Sequence, residues 1–383
     1  MKKEAITKLT ETIIIGAGVS GLGAARTLHE NGRKFKIITE DIGGRILTSK
    51  DGQVNYGAYY VGMDYTNISK FVKKTRILAP LGVEFHKRKE RYSLLSFSFI
   101  FNIGECLKLM RLLYEFRDHY KKFKKNCINM SQKQAINSDK YLKKLYHQKA
   151  SVFIREHGIE NIIDNFLGEV IYGTTFSKIE ELYTFEFLHF SLYAFLPVHE
   201  FIFQKKAIIK GFERNIILDS VISMEKEGMN YKIITSKKKY LAKNVIVATP
   251  IPVSQKLLDI KKIKKPVSAN MFHISGEIKK KWDNGEEEIF HQGSKTLAIA
   301  RQRDGTYLFY SKDLKPNIKK YFSSFKIIKT KYWNPAFNLN GHILLEQKQG
   351  NNLYLATDHN VCGMEDSYIT GIYAANQIIK NSK

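Results

Sequence analysis

The chain has 383 residues, 43% hydrophobic, 12% aromatic and 26% charged, enough to bury one large core or two or three ordinary ones. That aromatic content excludes a disordered chain, and no run of eighteen uninterrupted apolar residues is present to span a membrane as a helix. Lysine and arginine total 62 against 37 acids, a formal charge of +25, but the lysines fall in short dispersed runs, Lys121-Lys122, Lys237 to Lys239, Lys261-Lys262 and Lys279 to Lys281, which read as solvated faces beside turns rather than a nucleic-acid footprint.

After the basic Met1-Lys2-Lys3, the first apolar run is Ile13-Ile14-Ile15, broken by glycine; it reads as a buried strand, not a signal peptide. Thr12 to Ile15 form that strand, and Gly16-Ala17-Gly18-Val19-Ser20-Gly21 follows at once. A helix is expected from Leu22 to Glu30, then Gly32, then a second strand, Phe35 to Thr39, ending at Glu40. This order is a Rossmann βαβ unit. Gly16 permits the tight turn, Gly18 lets the backbone approach a pyrophosphate, and Gly21 lets the helix pack on the strand. The helix N-terminus turns free amides and its positive dipole end toward phosphates. Glu40, 24 residues after Gly16, is placed to accept hydrogen bonds from a ribose.

Gly43-Gly44-Arg45 comes next. An acidic strand end followed closely by Gly-Gly-Arg resembles the FAD-binding flavoproteins that include monoamine oxidase, protoporphyrinogen oxidase and phytoene desaturase, and Asp51-Gly52 through Gly57-Ala58 resembles the continuation of that motif. Only Asp41 and Ile42 separate the acid from the glycines, fewer than the family has, so Asp41 is a second candidate for the ribose contact.

Residues 86–204 and 253–345 are expected to supply a substrate domain. Tyr92 to Phe101 alternates like a strand. Leu109, Leu112, Leu113, Phe116, Tyr120 and Phe123 recur at helical spacing beside Arg111, Lys121, Lys122, Lys124 and Lys125. Such a stripe is expected to be core, a helix capping the pocket, and the alternative is a helix lying on an anionic membrane. From an N-cap at Asn137-Ser138 onward the chain reads as helical and aromatic, through Phe185, Phe187, Phe190, Tyr193 and Phe195. Lys210-Gly211-Phe212-Glu213 precedes a helix-like stretch, Ser220 to Ser223 a strand, and Lys243 to Pro250 a strand returning toward the cofactor. Near the end, Leu353 to Ala356 reads as a strand followed by Thr357-Asp358, and Gly363-Met364-Glu365 opens a last helix containing Ser367, Thr370-Gly371 and Ala374-Ala375. This too resembles the family's ending, with Thr357 and Ser367 in place of its glycine and alanine.

The resemblance implies that Gly16, Gly18, Ser20 and Gly21, then Glu40, Gly43, Gly44 and Arg45, then Val221, and finally Asp358, Gly363 and Met364 contact a non-covalently held FAD. Asp358 would accept from a ribityl hydroxyl, and the amides opening the last helix would face the flavin pyrimidine carbonyl. No catalytic residue is singled out: His189, His199, His273, His291, His342 and His359 are scattered, and flavin N5 itself accepts a hydride. The family's aromatic wall would stand at Gly363, and neither Tyr354 nor Trp333 is placed by the sequence to replace it. Cys106, Cys127 and Cys362 are too few and scattered for a disulfide framework or metal site, and a reducing cytoplasm is the expected compartment; the surroundings of Cys362 do not resemble a flavin attachment motif.

The expected fold is α/β, a Rossmann-type FAD-binding domain (GR2-like) from residues 1–85, 205–252 and 346–383, with a discontinuous α+β substrate domain from 86–204 and 253–345. The expected activity is dehydrogenation of an apolar or amphipathic small molecule, with oxygen or another acceptor taking the electrons. Alternatives are a flavin amine oxidase, a non-redox flavoenzyme like UDP-galactopyranose mutase, and a non-catalytic scaffold retaining FAD. Nucleic acid is not an expected partner; peripheral contact with an anionic membrane stays open.

Overall fold

The computed structural model describes residues 9–78, 82–87, 90–93, 102–261, 265–283, 285–339 and 341–381. Strand β1 (Thr10–Gly18) leads directly into helix α1 (Val19–Glu30), which returns the chain to β2 (Phe35–Gly43), parallel to β1. Ile13, Ile14 and Ile15 are buried on both faces, as a central parallel strand requires. Two late segments flank this unit. Strand β11 (Lys239–Val247) pairs parallel with the other side of β1, and β18 (Leu353–Leu355) pairs parallel with β11. Strand β8 (Ile216–Leu218) extends the sheet beyond β2, the hairpin β9 (Val221–Glu227) and β10 (Asn230–Thr235) joins β11 antiparallel, and β17 (Lys348–Gly350) edges β18.

The last helix, α9 (Met364–Lys380), crosses α1 at backbone contact. A Cβ on Gly371 would stand 1.9 Å from the Ser20 carbonyl oxygen, and one on Gly23 would stand 2.5 Å from that of Tyr368. Both positions therefore admit only glycine at this separation.

A second sheet of seven strands runs in the order β16-β12-β15-β14-β13-β5-β6. Its members are β5 (Val83–Lys87), β6 (Glu90–Tyr92), β12 (Lys265–Ile278), β13 (Glu287–Phe290), β14 (Thr296–Arg301), β15 (Tyr307–Ser311) and β16 (Phe322–Leu339); all pairs are antiparallel except β13 with β5. Between the sheets lies a helical layer: α2 (Ile103–Asn126), α3 (Gln132–Ser138), α4 (Lys140–His147), α5 (Ala150–His157), α6 (Gly168–Thr175) and α7 (Thr184–Phe195). A small third sheet, β3 (Tyr60–Gly62), β7 (Val198–Phe203) and β4 (Val72–Ile77), joins the halves, and α8 (Ile251–Leu258) follows β11.

The fold is thus a Rossmann-like nucleotide-binding unit with a separate mixed α/β portion. In α2, Leu109, Leu113, Phe116, Tyr120 and Phe123 are buried and Lys121, Lys122 and Lys125 exposed, as core helices require. Lys124 departs from that pattern and is buried. The expected cap at Asn137-Ser138 is corrected by one residue: Asp139 caps α4, its Oδ1 accepting from the amides of Tyr141 at 3.0 Å and Leu142 at 3.1 Å. Its negative charge also complements the helix dipole, which serine cannot do. The stretch after Gly211 is a single helical turn, Glu213–Asn215, leading into β8. Of the strand expected over Tyr92 to Phe101, all beyond Ser93 lies outside the described residues.

Candidate cofactor and substrate site

The glycine turn closes on the second motif. Gly18 pairs with Gly43 as a strand partner, and a Cβ on Gly44 would stand 3.1 Å from the Gly18 Cα. To achieve this, β2 bulges between Ile38 and Ile42. Thr39 spans the bulge, its hydroxyl accepting from the Ala17 amide at 3.1 Å and donating to the Asp41 carbonyl at 2.6 Å. Gly16 (φ +101°), Gly43 (φ +114°) and Gly44 (φ +58°) all adopt backbone angles that side chains disfavour. A Cβ on Gly18 would meet no atom within 4 Å, whereas one on Gly21 would stand 2.0 Å from the Gly16 carbonyl oxygen. Gly21 is therefore required by the turn itself, whereas no atom of the fold demands glycine at Gly18. Helix α1 begins at this point with no side-chain cap and no acid in its first turn, leaving its positive end available to an anion; Ser20 lies buried in that turn.

Glu40 and Asp41 find different partners. Glu40 accepts from the Ser220 hydroxyl at 2.7 Å, beside Val221 at the start of β9, so two expected adenosine-side residues stand together. Asp41 instead binds its neighbouring amide, of Ile42, at 2.6 Å and faces Lys205 at 3.6 Å.

Arg45 and Asp358, from the two ends of the chain, form an ion pair at 2.8 Å. Burial opposes the Arg45 charge, but the Asp358 carboxylate beside it more than compensates. Burial alone would raise the Asp358 carboxyl; the charge and hydrogen bond of Arg45 hold it below the usual range. Arg45 also donates to the Ala336 carbonyl of β16 at 3.2 Å, and its own carbonyl accepts from the Ala58 amide at 2.9 Å. A Cβ on Gly57 would stand 2.0 Å from that carbonyl. The Gly57-Ala58 segment is thereby laid along Arg45.

The N-terminus of α9 completes this end. Gly363 is its N-cap and Met364 its first residue. Glu365 anchors the loop after β3: Oε1 accepts from the Thr66 amide at 3.0 Å, the Asn67 amide at 2.9 Å and Asn67 Nδ2 at 2.8 Å, and Oε2 from the Ile68 amide at 3.0 Å. A Cβ on Gly363 would stand 3.4 Å from His189 Cε1 and closer still to Asp366, so the helix start leaves an aromatic ring no room in this direction. Tyr354 is buried against α9, bonded to Asn381 Nδ2 at 3.1 Å, and supplies no wall; Trp333 donates to the Tyr56 carbonyl at 3.1 Å, beside Gly57.

A run of rings starts at Tyr60 on β3. It continues through Tyr193 (5.8 Å between centroids), His189 (5.7 Å), Phe190 (5.2 Å), Phe337 (6.0 Å) and Phe176 (5.6 Å) to Tyr310 on β15 (5.6 Å). Both end rings feel the carboxyl of Glu287, which burial, then Glu200, pushes up to about 7. On β13, Glu287 shares a face with Ile289, which packs against Gly173 of α6, and its cross-strand neighbours are Val83 and Ala300. No hydrogen bond or ion pair reaches it among the described residues. Glu287 was not singled out in the sequence, where it is the middle of three consecutive glutamates, Glu286 to Glu288, with no spacing that marks one of them as buried. Of the histidines, His189 is held neutral, its imidazole lowered to about 3 by burial and then Lys124. His273 bonds Tyr56 at 3.1 Å and Thr306 at 2.7 Å. Cys362 is buried, 3.7 Å from Asp358 Oδ2, and in no disulfide.

The description NAD(P)-binding Rossmann-like domain fits residues 14–75. A flavin-containing amine oxidase B from Sus scrofa is 32% identical over 85 residues, which are 21% of this chain and 15% of that protein. Whole-chain likeness lies in structure. A putrescine oxidase variant superposes with a TM-score of 0.70 at 13% identity over 97% of this chain and 99% of its own. A CLA-producing fatty acid isomerase from P. acnes superposes with 0.71 at 14% identity over 98% and 99%. No helix among the described residues is long and apolar enough to cross a membrane. The chain therefore shares its fold with solved structures of a putrescine oxidase, a cyclohexylamine oxidase from Brevibacterium oxydans and a putative protoporphyrinogen oxidase from Exiguobacterium.

Proposed function

We propose that this chain is an oxidoreductase holding FAD without a covalent bond and dehydrogenating an apolar or amphipathic small molecule. The observation that carries this reading is that the fold brings the two glycine motifs together, sets Glu40 against the residue before β9 and pairs Arg45 with Asp358 shortly before α9. Residues 1–85, 205–252 and 346–383 would hold the cofactor, and 86–204 with 253–345 the substrate. Gly18 and the open end of α1 would bind the diphosphate, Glu40 the ribose, and Asp358, kept ionised by Arg45, a ribityl hydroxyl. FAD, when bound, supplies the hydride acceptor. The rings from Tyr60 to Tyr310 would orient an apolar substrate and exclude water, and Glu287, near its half-protonated state at neutral pH, could exchange a proton there.

One observation favours a second reading, the flavin amine oxidase. Among the described residues no hydrogen bond or ion pair reaches Glu287; Arg76 acts on it only through its charge, and Tyr60 and Tyr310 feel its carboxyl, a setting that would suit a substrate ammonium. A non-redox flavoenzyme stands as a third. One experiment separates these. The purified protein should be yellow and release flavin on denaturation; anaerobic bleaching by an apolar donor supports the main reading and rapid bleaching by a common amine the second. A flavin that works only after prior reduction points to the third, and a colourless preparation that takes up no FAD overturns all three.

A further inference from the structure

Behind the first turn of α9 the fold buries a carboxyl, that of Asp366, which neither the glycine cradle nor the substrate wall uses. Asp366 is 1% exposed, and its Oδ2 folds back toward Gly363, 2.4 Å from where a Cβ would stand. Charged and titratable groups face it from three sides. From α2, the Tyr120 hydroxyl donates to both carboxylate oxygens at 2.7 Å, Lys124 lies 4.7 Å above the Tyr120 ring, and the Cys127 thiol feels the carboxylate. From α7, His189 Nε2 stands 3.9 Å from Oδ2 and 3.0 Å from the Tyr120 hydroxyl, with Tyr193 beyond. From the loop after β3 come Asp64, paired with Lys124, and Tyr65. Glu365, on the same helix, is committed to Thr66, Asn67 and Ile68. Among the described residues, the donor that reaches Asp366 is a neutral hydroxyl, and Asp366 sits where the helix offers its positive end.

A carboxylate in that first turn offsets the positive potential that a group bound at the helix end would otherwise feel. We propose that Asp366, steered by Tyr120, is a positioning residue that sets the electron affinity of the cofactor at the α9 N-terminus by taking up a proton when that cofactor is reduced. The inference rests on FAD being the cofactor. A hydride leaves the substrate carbon with both electrons of its bond and arrives at the flavin, adding one negative charge near the helix end. One proton from solvent then joins an Asp366 oxygen, and it returns to solvent on reoxidation. Burial already pushes Asp366 up to about 6, against the pull of Lys124 and Tyr120, so one more negative charge carries it through neutrality. His189, lowered to about 3, is neutral across the range of the test and contributes no proton.

The test is a dye-coupled reductive titration of the FAD-loaded protein from pH 5 to 9, with flavin content measured first. The potential of the unaltered protein should fall more steeply with pH than that of Asp366→Asn. The extra slope is one proton per two electrons, a tenfold change in equilibrium constant per pH unit or about 30 mV. The two curves should meet at low pH, with the Asn variant higher at high pH. Tyr120→Phe removes the donor that favours the ionised carboxylate, so its bend should move to higher pH. Parallel curves for the unaltered protein and Asp366→Asn, or, where that variant fails to fold, an unmoved bend in Tyr120→Phe, overturn the inference. A protein that binds no FAD overturns the cofactor reading, and is recognised before any potential is measured.

Discussion

Gly18 and Gly21 stand three residues apart and should fail differently when altered. A side chain on Gly18 has open space and an ordinary φ of −71°, so Gly18→Val should fold normally while losing flavin, read as absorbance per mole of protein. Normal flavin content would sink the amino-terminal assignment. Gly21→Ala drives a methyl into the Gly16 carbonyl, and overpacking of that kind costs about 1–3 kcal/mol, visible as a lower melting temperature even without cofactor. Glu40→Ala should weaken FAD by about 1.5–3 kcal/mol, the worth of hydrogen bonds to a charged group, and Asp41→Ala should leave it unchanged; the reverse result in a flavin titration would move the ribose contact to Asp41. Glu287 titrates near 7 when folded, against an ordinary 4.5. The folded state therefore holds more protons than the unfolded one across that window, and stability is lost as pH rises through it. Glu287→Gln removes the loss: it should melt with the parent at pH 4 and above it at pH 8, by an amount on the order of 1–3 kcal/mol.

Among the elements, α2 shows both how far a pattern reaches and where it ends. Its buried stripe was legible because 3.6-residue periodicity depends on nothing beyond the helix, and the βαβ unit was legible because its glycines, strands and acid lie within about thirty residues. Lys124 was not legible. It falls in the buried stripe with Tyr120, and only the distant loop after β3 brings Asp64 to meet it. The Arg45–Asp358 pair and the Glu365 anchor were illegible for the same reason, since no local spacing records a contact between residues so far apart in the chain. The long strands β12 and β16 carry mixed lysine and apolar residues that lack a clean alternation, so the second sheet could be read only as a domain. Neutralising Lys121, Lys122 and Lys125 to glutamine should leave stability within about 0.5 kcal/mol. Lys124→Met should cost about 3–5 kcal/mol by stranding Asp64, measured by denaturant unfolding. At physiological salt the unaltered protein should stay in the supernatant with anionic vesicles; salt-sensitive sedimentation lost in the triple variant would make α2 a membrane face.

Across the whole molecule, the rings proposed to bound the substrate come from β3, α7, Phe176 just after α6, β15 and β16, while the start of α9 has no room for a ring on the side of Asp366 and His189. Simple primary amines and polyamines should therefore reduce the flavin slowly, and a larger apolar donor faster, in stopped-flow traces under argon. The nucleotide sheet has a further consequence, for synthesis. Its centre, β1, is made first, but β11 must arrive to flank it and β18 to flank β11, and Asp358 reaches Arg45 only after 358 − 45 = 313 further residues. At translation speeds of about 5–20 residues per second, that is roughly 15–60 s during which the ribosome displays the first βαβ unit unfinished. If FAD is held as proposed, its capture would be a late event, waiting until Asp358 has been made and has reached Arg45.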